Sequence, residues 1–258
     1  MASRRFRGRR GGTPPTGASR PGAPLVGSGA EPKSALVRAE AALRAGRLGE
    51  AEALCRRLLA TDGRQPDALH LLGIAALQGG RQADAAEFLG QAAAVARRNP
   101  DVHSNLASAL LGLGRIQEGR AALERALKLA PSHPQANYNL GLLALREGHF
   151  AKARRHLERT LKAAPRHLDA IVALGVALAE SGEFEAAVGR FREVLVLHDA
   201  HPSARLNLAN ALVELGRPRE AIGHYRVLLE ADPSSPNVHF HLALAETKAE
   251  LLPEAILS

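Results

Sequence analysis

A period of 34 residues runs through most of this 258-residue chain and decides what it can fold into. Counted from Pro32, the eighth position of seven successive units is always Gly or Ala: Ala39, Gly73, Ala107, Gly141, Gly175, Ala209 and Ala243. From the second unit onward the seventh position is Leu: Leu72, Leu106, Leu140, Leu174, Leu208 and Leu242. No insertion or deletion disturbs the spacing, so every unit is expected to form the same small structure.

Other positions of the unit predict what that structure is. Proline opens six of the seven units, with Leu168 as the exception, and proline fits the first turn of a helix. The fifteenth position is glycine at Gly46, Gly80, Gly114, Gly148, Gly182 and Gly216. Because glycine adopts the left-handed conformation that ends a helix, each unit is predicted to be two antiparallel helices. Small residues at the eighth and twentieth positions let these helices approach closely, and stacked units bury one another's apolar faces.

The composition supports an all-α fold and excludes several other classes. Apolar residues make up 46% of the chain but aromatic residues only 3%, so Ala and Leu must form the core. No apolar run is long enough to span a membrane. The single cysteine, Cys55, excludes an internal disulfide framework and is predicted to lie on the buried side of a second helix. A reducing compartment follows, and we expect a cytoplasmic location.

The repeated columns resemble those of the tetratricopeptide repeat (TPR) family, whose unit also has 34 residues and small eighth and twentieth positions. The resemblance implies a right-handed α-solenoid over residues 32–258, with about six full units and a partial seventh. We number the units 1 to 7; they begin at residues 32, 66, 100, 134, 168, 202 and 236. The aromatic residue that the family often has at its fourth position is replaced here, for example by Asn137 and Arg205.

The two ends of the chain differ from the repeated body. Residues 1–31 are rich in Gly, Pro and Arg and are predicted to be a disordered basic tail, because they cannot bury enough apolar surface to offset their ordering entropy. Residues 1–33 hold seven basic side chains and one acidic one, so most of the net charge of +8 belongs to this end. The tail is interpreted as a solubilising segment. Association with a nucleic acid or a membrane surface is the alternative, although nucleic acid is disfavoured because Phe6 is its only aromatic.

The last unit is incomplete. Unit 7 begins at Pro236, and its second helix is predicted to start at Pro253–Leu257, just before the sequence ends at Ser258. A solenoid that ends on an uncovered apolar face is prone to association. Two interpretations follow: the sequence is part of a longer protein, or the open unit docks a partner or a second copy of the chain.

Asparagines mark the groove that the TPR resemblance implies, in which the first helix of each unit lines a concave face. The sixth position holds Asn105, Asn139 and Asn207, and the ninth holds Asn210. An amide both donates and accepts, so a row of amides can bond the main chain of an extended peptide. In this respect the chain resembles the superhelical arm of the O-linked N-acetylglucosamine transferases, although Leu71 and Ala173 interrupt the row. The alternative is that these are ordinary polar residues at the edge of a packed groove.

The fifth position predicts an apolar groove. It contains no lysine, so the two-carboxylate clamp that some members of the family use for chaperone tails is not expected. Tyr138 and Phe240 are the candidate anchors for a partner, since aromatic anchors dominate interface energies; the alternative is that they pack against the next unit. His70 and Arg146 complete the candidate groove residues.

No catalytic, cofactor or metal site is expected. The chain has no phosphate-binding loop with lysine, no nucleophile elbow and no HExxH motif. His239 and His241 are two residues apart on a predicted helix and therefore lie on different faces. His198 and His201 have only Asp199 beside them, which is too few ligands for a metal site.

The sequence therefore predicts a non-catalytic interaction scaffold that binds a peptide or helix of a partner protein in its groove. The main alternative is the substrate-recruiting N-terminal region of a larger enzyme. Arrays that look like this one precede sulfotransferase or glycosyltransferase domains in high-GC bacteria, and the excess of Arg over Lys fits such a genome. A third hypothesis assigns the function to the basic tail. It predicts binding that is lost with residues 1–30 and falls steeply with salt.

Overall fold

The structure, a computed structural model, describes residues 30–255, with side chains from Lys33 to Glu250. Residues 1–29, which hold almost all of the predicted basic tail, and residues 256–258 lie outside the described part. Thirteen helices and no strand occur within it: α1 (Ala30–Arg44), α2 (Leu48–Thr61), α3 (Pro66–Gln78), α4 (Gln82–Val95), α5 (Pro100–Gly112), α6 (Ile116–Leu129), α7 (Pro134–Arg146), α8 (Phe150–Ala163), α9 (Leu168–Glu180), α10 (Phe184–Leu197), α11 (Pro202–Glu214), α12 (Pro218–Ala231) and α13 (Pro236–Ala255).

The predicted unit of two antiparallel helices is confirmed. In units 2 to 6 the first helix has 13 residues. The second helix has 14 residues in units 1 to 6. The turn between them contains a glycine at φ between 71° and 79° in all six units, a conformation that L-residues with a Cβ rarely adopt. The first helix, α1, begins at Ala30, two residues before the predicted start at Pro32. Pro32 is tolerated there because the first N–H groups of a helix have no partner within it.

The prediction that a second helix of unit 7 starts near Pro253 is wrong. One helix of 20 residues, α13, continues from Pro236 to Ala255. The reason is local: the fifteenth position, where the other units have glycine, is Glu250 here, so nothing reverses the chain. This is the longest described helix, and no helix within residues 30–255 is long and apolar enough to cross a membrane.

The helices form two layers. Each first helix contacts the first helix of the next unit, from α1 and α3 through to α11 and α13. No two second helices of the described chain approach each other in this way, so they are spread on the outer side. The first helices therefore line the concave face, which we call the groove.

Within a unit, the two helices interlock through the eighth and twenty-fourth positions. A Cβ added at Gly175 would lie 2.5 Å from Cε1 of Phe191, and one at Gly141 would lie 2.8 Å from Cγ of Leu157. Phe191 and Leu157 are 1% and 0% exposed. The small eighth residue thus leaves the space that a large side chain of the second helix fills, as close packing between helices requires.

Polar side chains at the fourth position replace the aromatic residue that is common in the family. The side-chain amide of Asn137, which is fully buried, donates to the main-chain oxygen of Pro131 at 3.0 Å. The Arg205 guanidinium donates to Asp199 O at 2.6 Å, and Nε2 of His103 and of His239 lies within 3.0 Å of the corresponding oxygen. In each case the acceptor lies six residues earlier, so this position ties the first helix to the preceding inter-unit turn.

Candidate partner-binding groove

An open cavity of about 520 Å³ lies in the groove at units 5, 6 and 7, where α9, α11 and α13 border it. We call it the C-terminal cavity. Its lining is Val176, Ala179, Glu180, Gly182, Phe184, Phe191, Asn207, Asn210, Ala211, Val213, Glu214, Tyr225, His241 and Leu244. The volume falls within the ~300–1,000 Å³ of typical ligand pockets, and its walls combine apolar side chains with a few polar groups.

Tyr225 supports the floor of this cavity from the second helix α12. Its side chain is 1% exposed, and its hydroxyl donates a 2.7 Å hydrogen bond to Oδ1 of Asn210. The Tyr225 ring stacks on the ring of His241, with centroids 6.2 Å apart and planes at 11°. Burial, with a smaller contribution from the charge of Glu214, raises the pKa of Tyr225 to about 12. The hydroxyl therefore remains a neutral donor, and it fixes the orientation of the Asn210 amide.

Two asparagines of the predicted row already form hydrogen bonds with side chains of the preceding unit. The Asn105 amide donates to Nε2 of His70 at 2.9 Å. The pKa of His70 is lowered, mainly by burial, which keeps the ring neutral and able to accept. Asn139 donates to Oγ of Ser108 at 3.1 Å. Among the described residues, no side chain bonds the half-buried amide of Asn207.

A second, smaller cavity of about 230 Å³ lies between units 3 and 4. The structure brings two candidate residues together there: Asn139, and Arg146 at the end of α7, whose side chain is exposed. Ser108, Leu111, Gly112, Leu142 and Leu143 complete its lining. The candidate residues thus fall into three places along the groove, with His70 and Asn105 in units 2 and 3, Asn139 and Arg146 next, and Asn207 and Asn210 in the C-terminal cavity.

The two candidate anchors lie in different surroundings. Tyr138 is half-buried, and its ring centroid is 4.7 Å from that of His167 in the following turn. Its pKa is raised, first by burial and then by the charge of Asp169. Phe240 is 65% exposed, and its ring stands at 75° to that of His241, with ring centroids 5.4 Å apart. Phe240 therefore offers free apolar surface, whereas much of Tyr138 is already covered.

Comparison with known proteins agrees with this geometry. Two family models, both described as tetratricopeptide repeat, match residues 104–153 and 141–205, and residues 42–109 and 178–246. Together they cover most of the chain. The protein belongs to the tetratricopeptide repeat family. No curated protein matches the chain.

Solved TPR structures share the fold of the chain. A chain of the APC/C hetero-tetramer Cut9–Hcn1 matches with a TM-score of 0.74 and 18% identity; the match covers 86% of this chain but only 44% of that one. Pseudomonas aeruginosa PilF matches with a TM-score of 0.73 and 20% identity over 85% of this chain and 97% of that one. MamA AMB-1 matches with a TM-score of 0.57 and 26% identity, over 67% and 95%. The resemblance to the O-linked N-acetylglucosamine transferase arm is not supported by these matches and stays a prediction.

Sequence reasoning missed the acidic rim of this TPR groove. Glu180 and Glu214 occupy the thirteenth position of units 5 and 6 and both line the C-terminal cavity. Unit 4 has Arg146 at this position, so the sign of the charge changes between units 4 and 5. The signal for it in the sequence is the thirteenth position of the repeat, which is acidic in units 5 and 6.

No group of three or more metal-ligating side chains comes together among the residues from Lys33 to Glu250. His198 and His201 stand edge to face with ring centroids 5.9 Å apart. Cys55 is buried, as predicted, and burial raises the pKa of its thiol to about 11, with a smaller contribution from Glu52. The thiol is therefore protonated and unreactive near neutral pH.

Proposed function

We propose that this TPR chain is a scaffold without catalytic activity that holds an extended segment of a partner protein against its groove. The observation that carries the proposal is the C-terminal cavity, where the Asn207 amide lies among apolar side chains. No side chain of the described residues forms a hydrogen bond with this amide. An extended segment buries its apolar side chains in such a cavity while its main chain bonds an amide. We place this scaffold in the cytoplasm, in keeping with its single cysteine.

The exposed ring of Phe240 adds to the argument. Phe240 is 65% exposed, and Leu244, one turn further along α13, is 41% exposed. Together they form exposed apolar surface beside the cavity, and a partner that covers this surface would gain affinity. The Cut9–Hcn1 hetero-tetramer, one chain of which has a similar fold, is itself an assembly of different chains.

The test is a selection of groove-binding peptides from a random phage-displayed library with the full chain, followed by fluorescence polarisation of the selected peptides. Asn207→Ala and Phe240→Ser are expected to weaken binding several-fold each. Val196→Ser on the outer helix α10, where the side chain is 86% exposed, is the control and leaves the affinity unchanged. A library that yields no binder, or binders that tolerate both groove substitutions, contradicts the proposal.

Self-association through α13 is a second candidate, favoured by the exposure of Phe240 and Leu244 on that helix. It predicts that the sedimentation coefficient rises with protein concentration and that Phe240→Ser abolishes the rise. A coefficient independent of concentration removes this candidate without affecting the first.

A further inference from the structure

We propose that the C-terminal cavity is a specificity pocket for a basic side chain, arginine or lysine, of the segment that the groove binds. The inference rests on the proposed function, since it names the chemistry of the residue that this part of the groove selects. It is carried by three observations: an apolar wall, an acidic rim, and the absence of Lys and Arg from the lining of the cavity.

The apolar wall suits the stem of a long basic side chain. Val176 and Ala179 come from α9, Val213 from α11 and Leu244 from α13, so three successive first helices contribute. Val213 is buried and Leu244 is partly exposed, which leaves apolar surface towards the opening. Arginine and lysine bury their aliphatic stems along such surfaces while the charged head remains hydrated.

The acidic rim suits the head of the same side chain. Glu180 and Glu214 occupy the same position of neighbouring first helices, and both carboxylates belong to exposed residues that line the cavity. No Lys or Arg is among the lining residues. An acidic partner residue would face two like charges here, whereas a guanidinium or ammonium group gains from both.

One basic residue near the rim has to be taken into account. Nζ of Lys248 lies 3.4 Å from Oε1 of Glu214, and the two side chains are 42% and 54% exposed. An exposed pair of this kind contributes little to stability, so an incoming cation can displace Lys248 at small cost. Among the described residues, no ion pair occupies Glu180. At least one carboxylate is therefore available to the partner without competition.

The experiment uses the full chain and the phage-selected peptides described above. Peptides selected on the wild type are expected to be enriched in Arg or Lys. Replacing that residue by citrulline, which keeps the shape of arginine and removes its charge, is expected to weaken binding about tenfold at low salt. The double substitution Glu180→Gln, Glu214→Gln is expected to remove the preference for arginine over citrulline. The control, Glu124→Gln with Glu230→Gln, makes the same change of net charge at exposed positions of α6 and α12 and keeps the preference.

A further variant is expected to strengthen the binding of the arginine peptide instead of weakening it. Lys248→Met frees Glu214, so it is expected to tighten the arginine peptide about two- to threefold and to leave the citrulline peptide unchanged. Peptides that bind the groove without enrichment in basic residues, or that keep their affinity with citrulline, overturn the inference and leave the scaffold function standing. A library without any binder overturns both.

Discussion

The hydroxyl of Tyr225 donates a 2.7 Å hydrogen bond to Oδ1 of Asn210, which joins the outer helix α12 to the floor of the C-terminal cavity. The donor is buried and the acceptor lines the cavity, so the bond holds the amide in one orientation. The shape of the cavity floor therefore depends on Tyr225, a buried residue of the outer helix.

Tyr225→Phe is expected to lower the free energy of unfolding by about 1 kcal/mol, because it leaves Oδ1 of Asn210 without its donor. The measurement is urea unfolding followed by circular dichroism. In a chain that already carries Asn210→Ala, the same substitution is expected to cost much less, since the bond is gone. An equal cost in both chains would mean that the bond contributes nothing.

The stability of the protein is expected to fall as the pH drops below 6.5. Burial, with the charges of Arg159 and Lys152, lowers the pKa of His156 below its usual 6.5 in the folded chain. The unfolded chain therefore binds the proton first, and the free energy of unfolding decreases from pH 6.5 downwards as the folded pKa is approached. Urea midpoints measured at neutral and at mildly acidic pH test this. His156→Gln is expected to reduce the pH-dependent loss, and an unchanged loss would assign it to His70 and His224, whose pKa values are also lowered.

Asn137→Leu is expected to destabilise the chain by about 3 kcal/mol, although leucine is the more apolar residue. The fully buried amide of Asn137 donates to the oxygens of Pro131 and His133, and its Oδ1 accepts from Nδ1 of His156. Leucine leaves the oxygen of Pro131 and Nδ1 of His156 without this partner, whereas the oxygen of His133 keeps its bond to the main-chain N–H of residue 137. The matched control is Ile171→Leu at the same position of unit 5, which conserves volume and is expected to cost less than ~1.5 kcal/mol. Thermal unfolding of both variants gives the comparison, and similar melting temperatures would contradict the role assigned to Asn137.

Gly175→Ala is expected to cost about 1–3 kcal/mol, because its Cβ would lie 2.5 Å from Cε1 of Phe191. Combining it with Phe191→Leu reproduces the pair that unit 3 has at Ala107 and Leu123. The double variant is expected to be more stable than the sum of the two single changes predicts. Strict additivity in urea unfolding would show that the two positions do not interlock.

The asparagines of the sixth position are expected to differ in their effect on binding. Asn207→Ala weakens a groove-bound peptide, since no described side chain competes for that amide, whereas Asn105→Ala mainly breaks the internal bond to His70. Fluorescence polarisation with one selected peptide measures both. Equal losses at the two positions would favour the continuous row of amides that the sequence suggests.

The repeated fold was predictable because the residues that determine it are local. Proline at the start of the first helix and glycine in the turn set the helix bounds in units 2, 3, 4 and 6. Prediction failed where the period was extended beyond those residues, at Glu250, where no glycine ends the helix. The sequence also predicted that Asn139, Asn207 and Asn210 lie on first helices, where they line cavities. It did not predict the side-chain hydrogen bonds of Asn105 and Asn139. These depend on how one unit is rotated against the next, which the sequence pattern does not specify.

The interlock of Gly175 with Phe191, like that of Gly141 with Leu157, joins two residues of one unit rather than residues of neighbouring units. Each of these units therefore contains both the small eighth residue and the large twenty-fourth residue that packs against it. Loss or duplication of a whole unit keeps each eighth residue paired with its own twenty-fourth residue. The solenoid can therefore change length in steps of one unit without repacking these contacts. The number of first helices that line the groove, and with it the length of the groove, can thus evolve independently of the core.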